Sequence, residues 1–137
     1  MTAYTITRSQ GTGTTLTTRY DSTTSSGGTA FTSSTVMLAG TPVWASSVAS
    51  TGYHSATLKH GSTSMTASGA SFTIGASESI TSAATINTYT IEYYSYDGVT
   101  KYGSSPHTYG TAKALTTIAN LNNVTAQSSK EFHGWSE

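Results

Sequence analysis

Alternation of apolar and polar side chains at every second position is the dominant pattern of this chain. It is clearest near residue 90, where Tyr89, Ile91 and Tyr93 alternate with hydroxyl and carboxylate side chains. Successive side chains of a strand point to opposite faces of its sheet, so this period of two predicts a β-strand. Asp97-Gly98 follows and favours a type I′ turn, which predicts that the chain returns along residues 99–102.

Similar short runs occupy the earlier part of the chain. Tyr4 and Ile6 open the first run, and later runs are separated by turns rich in glycine, serine and threonine. They cover residues 14–20, 31–38, 43–49, 51–60, 71–74 and 80–86. Many short strands with turn residues between them are typical of a β-sandwich or an open sheet. The sequence therefore predicts an all-β protein, mainly antiparallel, with at most one short helix.

The last third of the chain resembles a known extracellular repeat. Tyr-Thr-Ile-Glu-Tyr at 89–93, the Asp-Gly turn, Thr-Tyr-Gly at 108–110 and the closing Phe-His-Gly-Trp-Ser at 132–136 are similar to the InlB B-repeat, or Listeria–Bacteroides repeat. This resemblance implies a β-grasp-like module of the kind found in Gram-positive surface proteins and in phage virion proteins. Their roles are adhesive or structural rather than catalytic. Residues 127–132 depart from the Gly-Tyr-x-Phe that usually precedes the final Gly-Trp of the family.

Two modules are predicted. Tyr4-Thr5-Ile6 and Tyr89-Thr90-Ile91 open the two parts in the same way, and residues 52–61 resemble a segment of divergent B-repeat domains. We therefore predict a β-sandwich-like, immunoglobulin-like or divergent B-repeat module over residues 1–86, followed by a B-repeat-like β-grasp module over residues 87–137. One continuous domain is the alternative, because neither proline nor a charge run marks the boundary.

Composition narrows the classes of partner. The 137 residues include 29 Thr and 23 Ser, only 9% are charged, and the formal net charge is zero. A chain with six scattered basic residues lacks the electrostatic footprint of a nucleic-acid protein, so we predict no nucleic-acid or membrane partner. No cysteine is present, which excludes disulfides and thiolate metal sites.

No arrangement of residues indicates catalysis. His54 and His60 share a parity on one predicted strand, but six strand residues separate them by roughly 20 Å, too far to bind one metal ion. Nucleophile-elbow, phosphate-loop and zinc-helix motifs are not found. We predict that the protein is not an enzyme, with no catalytic, cofactor-binding or metal-binding residues.

Aromatic side chains are the best candidates for binding. Tyrosine combines an apolar ring with a polar tip and is enriched at interfaces. A candidate interaction surface comprises Tyr94, Tyr96, Tyr102 and Trp44, with cross-strand packing as the alternative interpretation. Predicted structural anchors are Tyr89, Ile91, Tyr93, Phe132 and Trp135, the last of these implied by the family resemblance.

Two classes of function fit these observations. The first is a phage virion component, such as a capsid decoration, head-fibre or tail protein, that docks on other virion proteins or on copies of itself. The second is an adhesive or glycan-binding repeat of a Gram-positive cell-surface protein. The start of the chain has neither a basic nor an apolar segment of the kind that signal peptides carry, so if Met1 is the native start we expect the virion rather than the cell surface.

Overall fold

The structure is a computed structural model that describes residues 1–95 and 98–115. Within those residues it contains eleven strands and no helix, which confirms the all-β prediction. The strands are β1 (Ala3–Gln10), β2 (Thr14–Tyr20), β3 (Thr29–Ala30), β4 (Thr35–Leu38), β5 (Pro42–Ala49), β6 (Tyr53–His60), β7 (Thr63–Met65), β8 (Ala70–Thr73), β9 (Glu78–Ile86), β10 (Thr88–Tyr94) and β11 (Lys101–Thr108).

The chain divides into two units, Met1–Asn87 and Thr88–Glu137. The first unit holds β1 to β9, and the described part of the second holds β10 and β11. The sequence placed the boundary between residues 86 and 87, one residue earlier than the division found here.

The first unit is a sandwich of two sheets. One sheet has the order β4-β1-β9-β6-β7 and the other has the order β3-β2-β5-β8. β1 and β9 run parallel, with Ile6 beside Glu78 at the start of the pairing, while the other pairs are antiparallel. Residues of both sheets fill a common core, which comprises Ile6, Leu16, Phe31, Met37, Val43, Ala45, Leu58, Ile74 and Ile80.

Two predicted strands differ from the structure, and two short strands, β3 and β7, were not predicted. The predicted strand over 31–38 is a strand only at β4, because the Phe31 N–H bonds the Thr18 C=O of the other sheet and the Phe31 ring enters the core. The strand predicted over 99–102 is instead β11, which contains Pro106 opposite Thr90. Proline is tolerated in β11 because, within the described residues, this strand has a neighbour on one side only.

The second unit begins with an antiparallel hairpin. The register runs from Thr88 opposite Thr108 to Tyr94 opposite Lys101, with an irregularity after Tyr93. Gly98 has a φ of 72°, a left-handed conformation that glycine adopts without steric cost, and its N–H donates to the Ser95 C=O at 2.9 Å. Asp97 lies outside the described residues.

Candidate interaction surfaces

Tyr94 is the most exposed of the three described residues of the aromatic surface predicted from the sequence. It is 40% exposed, and its hydroxyl donates a hydrogen bond of 2.7 Å to Glu92 Oε2. Glu92 Oε1 accepts a second hydrogen bond of 2.7 Å from Lys101 Nζ on the neighbouring strand. Tyr102 is half-buried, and Tyr96 lies outside the described residues. The exposed tyrosine therefore sits in a small polar network on the hairpin.

Each member of this network has a shifted pKa. The hydrogen bond from Lys101, then the one from Tyr94, lowers the pKa of the Glu92 carboxyl. The same hydrogen bonds raise the pKa of Lys101 and of the Tyr94 hydroxyl. At neutral pH these shifts favour a carboxylate, an ammonium and a neutral phenol, so the network presents one defined set of donors and acceptors to solvent.

Trp44 has a packing role. It lies on β5 in register with Arg19 of β2 and Ser71 of β8, and it is half-buried. A Cβ added to Gly69 would lie 2.8 Å from the indole ring, so the ring rests directly on the Gly69 backbone. The Trp44 ring therefore packs on the Gly69 backbone and does not project freely into solvent.

The predicted anchors differ in burial. Tyr93 is 3% exposed, and its hydroxyl lies 3.1 Å from Ser105 Oγ. Ile91 is half-buried, and Tyr89 is 51% exposed. Tyr89 lies one residue from the start of β10 and opposite His107 of β11, which among the described residues is the strand paired with β10. The other two predicted anchors, Phe132 and Trp135, lie outside the described residues.

Among the described residues, two histidines make side-chain hydrogen bonds. His54 Nδ1 lies 2.6 Å from Asn87 Oδ1 on an exposed part of β6. His60 Nδ1, at the other end of β6, lies 2.8 Å from Glu78 Oε1, and its ring stacks on Phe72 with centroids 4.1 Å apart. Because Phe72 belongs to β8 of the facing sheet, His60 links the two sheets. Within the described residues, no group of three or more His, Cys, Asp or Glu could hold a metal ion.

The outer edge of β2 is covered by side chains from β1. The Ser50 N–H donates to the Gly13 C=O across the β2–β5 pair. Because hydrogen-bonded and non-hydrogen-bonded pairs alternate along an antiparallel ladder, the backbone N–H and C=O of Leu16 point away from β5. The Leu16 N–H donates to Gln10 Oε1 at 3.0 Å, and the Leu16 C=O accepts from Arg8 Nη2.

Thr18 extends this covered edge. Arg8 Nε donates to Thr18 Oγ1 at 3.0 Å, and the Thr18 hydroxyl donates to the Phe31 C=O at 2.6 Å. The Thr18 C=O in turn accepts the Phe31 N–H at 3.1 Å. The Leu16 N–H, the Leu16 C=O and the Thr18 C=O are thus occupied within the chain, and this part of the β2 edge offers little to an incoming strand.

The outer edge of β4 has no such cover from the described residues. The Ala39 N–H donates to the Thr2 C=O, and the same register places Val36 opposite Thr5. Because bonded and non-bonded pairs alternate along the ladder, the N–H and C=O of Val36 point away from β1. The Thr5 N–H accordingly turns to the opposite side and bonds Ser77 Oγ. Among the described residues neither backbone group of Val36 has a hydrogen-bond partner.

Apolar side chains accompany this open edge. Val36 is 67% exposed and Leu38 is 49% exposed, while Met37 between them is 5% exposed and enters the core. Sequence reasoning missed this surface. The signal was the run Val36-Met37-Leu38, because three consecutive apolar residues of a strand must place apolar side chains on both faces.

Comparisons with known proteins add no relative. No family model matches the chain, and neither a curated protein nor a solved structure matches it. The resemblance to the InlB B-repeat therefore stays a prediction. Residues 1–95 and 98–115 include no helix of the length and apolar character needed to cross a membrane.

Proposed function

We propose that this chain is a non-enzymatic structural protein of a phage particle, such as a capsid decoration, head-fibre or tail protein, that docks on neighbouring proteins through its β units. The observation that carries the proposal is the open, uncharged edge of β4, with Val36 and Leu38 exposed beside it. Unpaired backbone groups on an apolar edge strand are a template for pairing with another chain.

The composition supports a role in a dense assembly. Copies with zero formal net charge and 9% charged residues repel one another little when they are crowded on a surface. Their partners would be other virion proteins or further copies of the chain, with no nucleic acid and no membrane. The resemblance of residues 88–137 to a repeat found in virion and cell-surface proteins points the same way.

Particle fractionation tests this proposal. Virions and cell envelopes from the organism that encodes the chain would be separated on density gradients, and the chain quantified in each fraction by mass spectrometry. We expect it to sediment with intact particles at a fixed ratio to the major capsid protein. Recovery in the cell-envelope fraction, with none in particles, would contradict the virion role.

The Tyr94 network favours one second candidate, an adhesive or glycan-binding repeat of a Gram-positive surface protein. An exposed ring beside a carboxylate and an ammonium offers both a stacking surface and hydrogen-bond partners for sugar hydroxyls. A glycan array would show binding that Tyr94→Ala removes and Tyr109→Ala, a change at a similarly exposed tyrosine, leaves intact. No binding to any glycan by the unaltered chain would reject this candidate.

A further inference from the structure

The free groups on β4 define the chemistry of what can bind there. The Val36 N–H and C=O and the Leu38 N–H lie on one side of the strand, whereas the Leu38 C=O already accepts the Thr41 N–H at 3.1 Å. Donors and acceptors repeated at every second residue are matched by another extended strand. A small polar ligand would satisfy one of these groups and leave the next without a partner.

We propose that β4 pairs with β4 of a second copy of this chain, antiparallel and about a twofold axis, so that Val36 of one copy lies beside Val36 of the other. This inference rests on the proposed role as an assembly component and names the partner and the contact. Each Val36 N–H donates to the Val36 C=O of the other copy. The Leu38 N–H then meets the C=O of Ser34, which precedes β4 with the same parity.

Charge and side-chain type favour a copy as the occupant. Residues 31–42 contain no charged side chain, so two of these segments approach without repulsion. On the outer face the exposed Val36 side chains of the two copies meet directly, which buries apolar surface on both sides. Lysines or prolines of the kind that block edge pairing are missing from β4 itself.

The length of β4 sets the strength expected of this contact. Four residues on each side bury less area than a stable free dimer requires, so we expect weak association in dilute solution. Copies held side by side on a particle would experience a high effective concentration, and the same weak contact would then be occupied. The contact therefore suits an assembly in which other interactions bring the copies together.

Disulfide trapping tests the register. The chain has no cysteine, so Val36→Cys introduces a single thiol. Directly paired residues in an antiparallel ladder have Cα atoms about 5.5 Å apart, within the range that a disulfide spans. With oxidised glutathione as the oxidant, two thiols give one intermolecular disulfide and two reduced glutathiones. We expect Val36→Cys to form dimer at least about tenfold faster than Val48→Cys, a comparably exposed control, because pairing raises the local thiol concentration.

Sedimentation velocity from micromolar to millimolar concentration gives the second test, on the full-length chain and on Val36→Lys and Val48→Lys. Far-UV circular dichroism confirms that each variant is folded. We expect concentration-dependent dimer in the unaltered chain and in Val48→Lys, and none in Val36→Lys, where two ammonium groups would face each other. Equal association of both variants, or no association of the unaltered chain, would overturn the inference.

The two proposals can fail separately. If Val36→Lys lowered binding to particles while self-association was absent, the occupant of β4 would be a strand of another virion protein, and pairing with a second copy would be rejected. If β4 pairing was found but the chain did not sediment with particles, the virion role would be rejected and the β4 contact would stand.

Discussion

Strands β2 and β4 both have backbone N–H and C=O groups that point away from a paired strand, and the two strands differ in whether side chains bond those groups. On β2 the Leu16 N–H and C=O bond to the Gln10 and Arg8 side chains of the facing sheet. On β4 the equivalent groups of Val36 have no partner among the described residues, and the side chain beside them is exposed. The difference shows that this sandwich closes one strand edge with long polar side chains, whereas no side chain of the described residues bonds the outward backbone groups of Val36.

Removing the cover from β2 has the largest expected effect. Arg8→Met keeps an apolar stem of similar length but removes the hydrogen bonds to Leu16 and Thr18. A half-buried carbonyl left without a donor costs about 2 kcal/mol of the free energy of unfolding. Urea denaturation measures this loss, with Arg19→Met as the control, since the Arg19 bonds go to the loop carbonyls of Gly27 and Gly28. Equal losses of unfolding free energy in both variants would mean that the hydrogen bonds of Arg8 to β2 stabilise the fold no more than those of Arg19 to the loop.

A smaller loss of unfolding free energy is expected when the side chain of His60, which links the two sheets, is removed. His60→Ala removes the hydrogen bond to Glu78 and the stacking on Phe72, which together are worth about 1.5 kcal/mol. The matched control is His54→Ala, which removes an exposed hydrogen bond to Asn87. A greater loss of unfolding free energy for His54→Ala than for His60→Ala would show that the link between the sheets does not stabilise the sandwich.

The smallest effect is expected for the exposed hydrogen-bond network of Glu92, Tyr94 and Lys101 on the hairpin. Hydrogen bonds from Lys101 and Tyr94 hold the pKa of Glu92 below its usual value of 4.5. A carboxyl with a lowered folded-state pKa stabilises the folded hairpin above its unfolded pKa, and this stabilisation is lost as the pH falls through the folded pKa. Because the Glu92 and Lys101 side chains are 41% and 45% exposed, we expect a small effect.

The measurement is an acid titration of hairpin amide shifts by NMR, from neutral pH to below the usual Glu pKa. We expect a step in the unaltered chain that Glu92→Gln lacks, since the amide does not titrate. An identical acid-induced step in both proteins would show that another group controls the hairpin at low pH.

Much of the fold could be predicted from local pattern, as two strands show. Residues 14–20 were predicted as a strand and are β2, and the alternation around Tyr89–Tyr93 correctly located β10. Pairing between distant strands was not predictable in this way. The parallel register of β1 with β9 depends on contacts between residues such as Ile6 and Glu78, which no local period encodes.

The candidate site was less predictable than the fold. Tyr94 belongs to the predicted candidate surface and is 40% exposed, but its role in binding stays a prediction. Val36 was not, because its importance depends on which strand lies at the edge and on which backbone groups face outward. Both properties follow from sheet order and register. The roles of Arg8 and Gln10 are likewise visible only once β1 is known to face β2.

Amide hydrogen exchange at Leu16 and Val36 measures directly whether the β2 edge is covered and the β4 edge is open to a second copy. Neither N–H group points toward a paired strand. The Leu16 N–H is hydrogen-bonded to Gln10, whereas we propose that the Val36 N–H is bonded when a second copy pairs with β4. We predict slow exchange at Leu16 at every protein concentration, and at Val36 fast exchange in dilute solution that slows as the concentration rises. Equal exchange rates at the two amides, or a Val36 rate independent of concentration, would contradict the account.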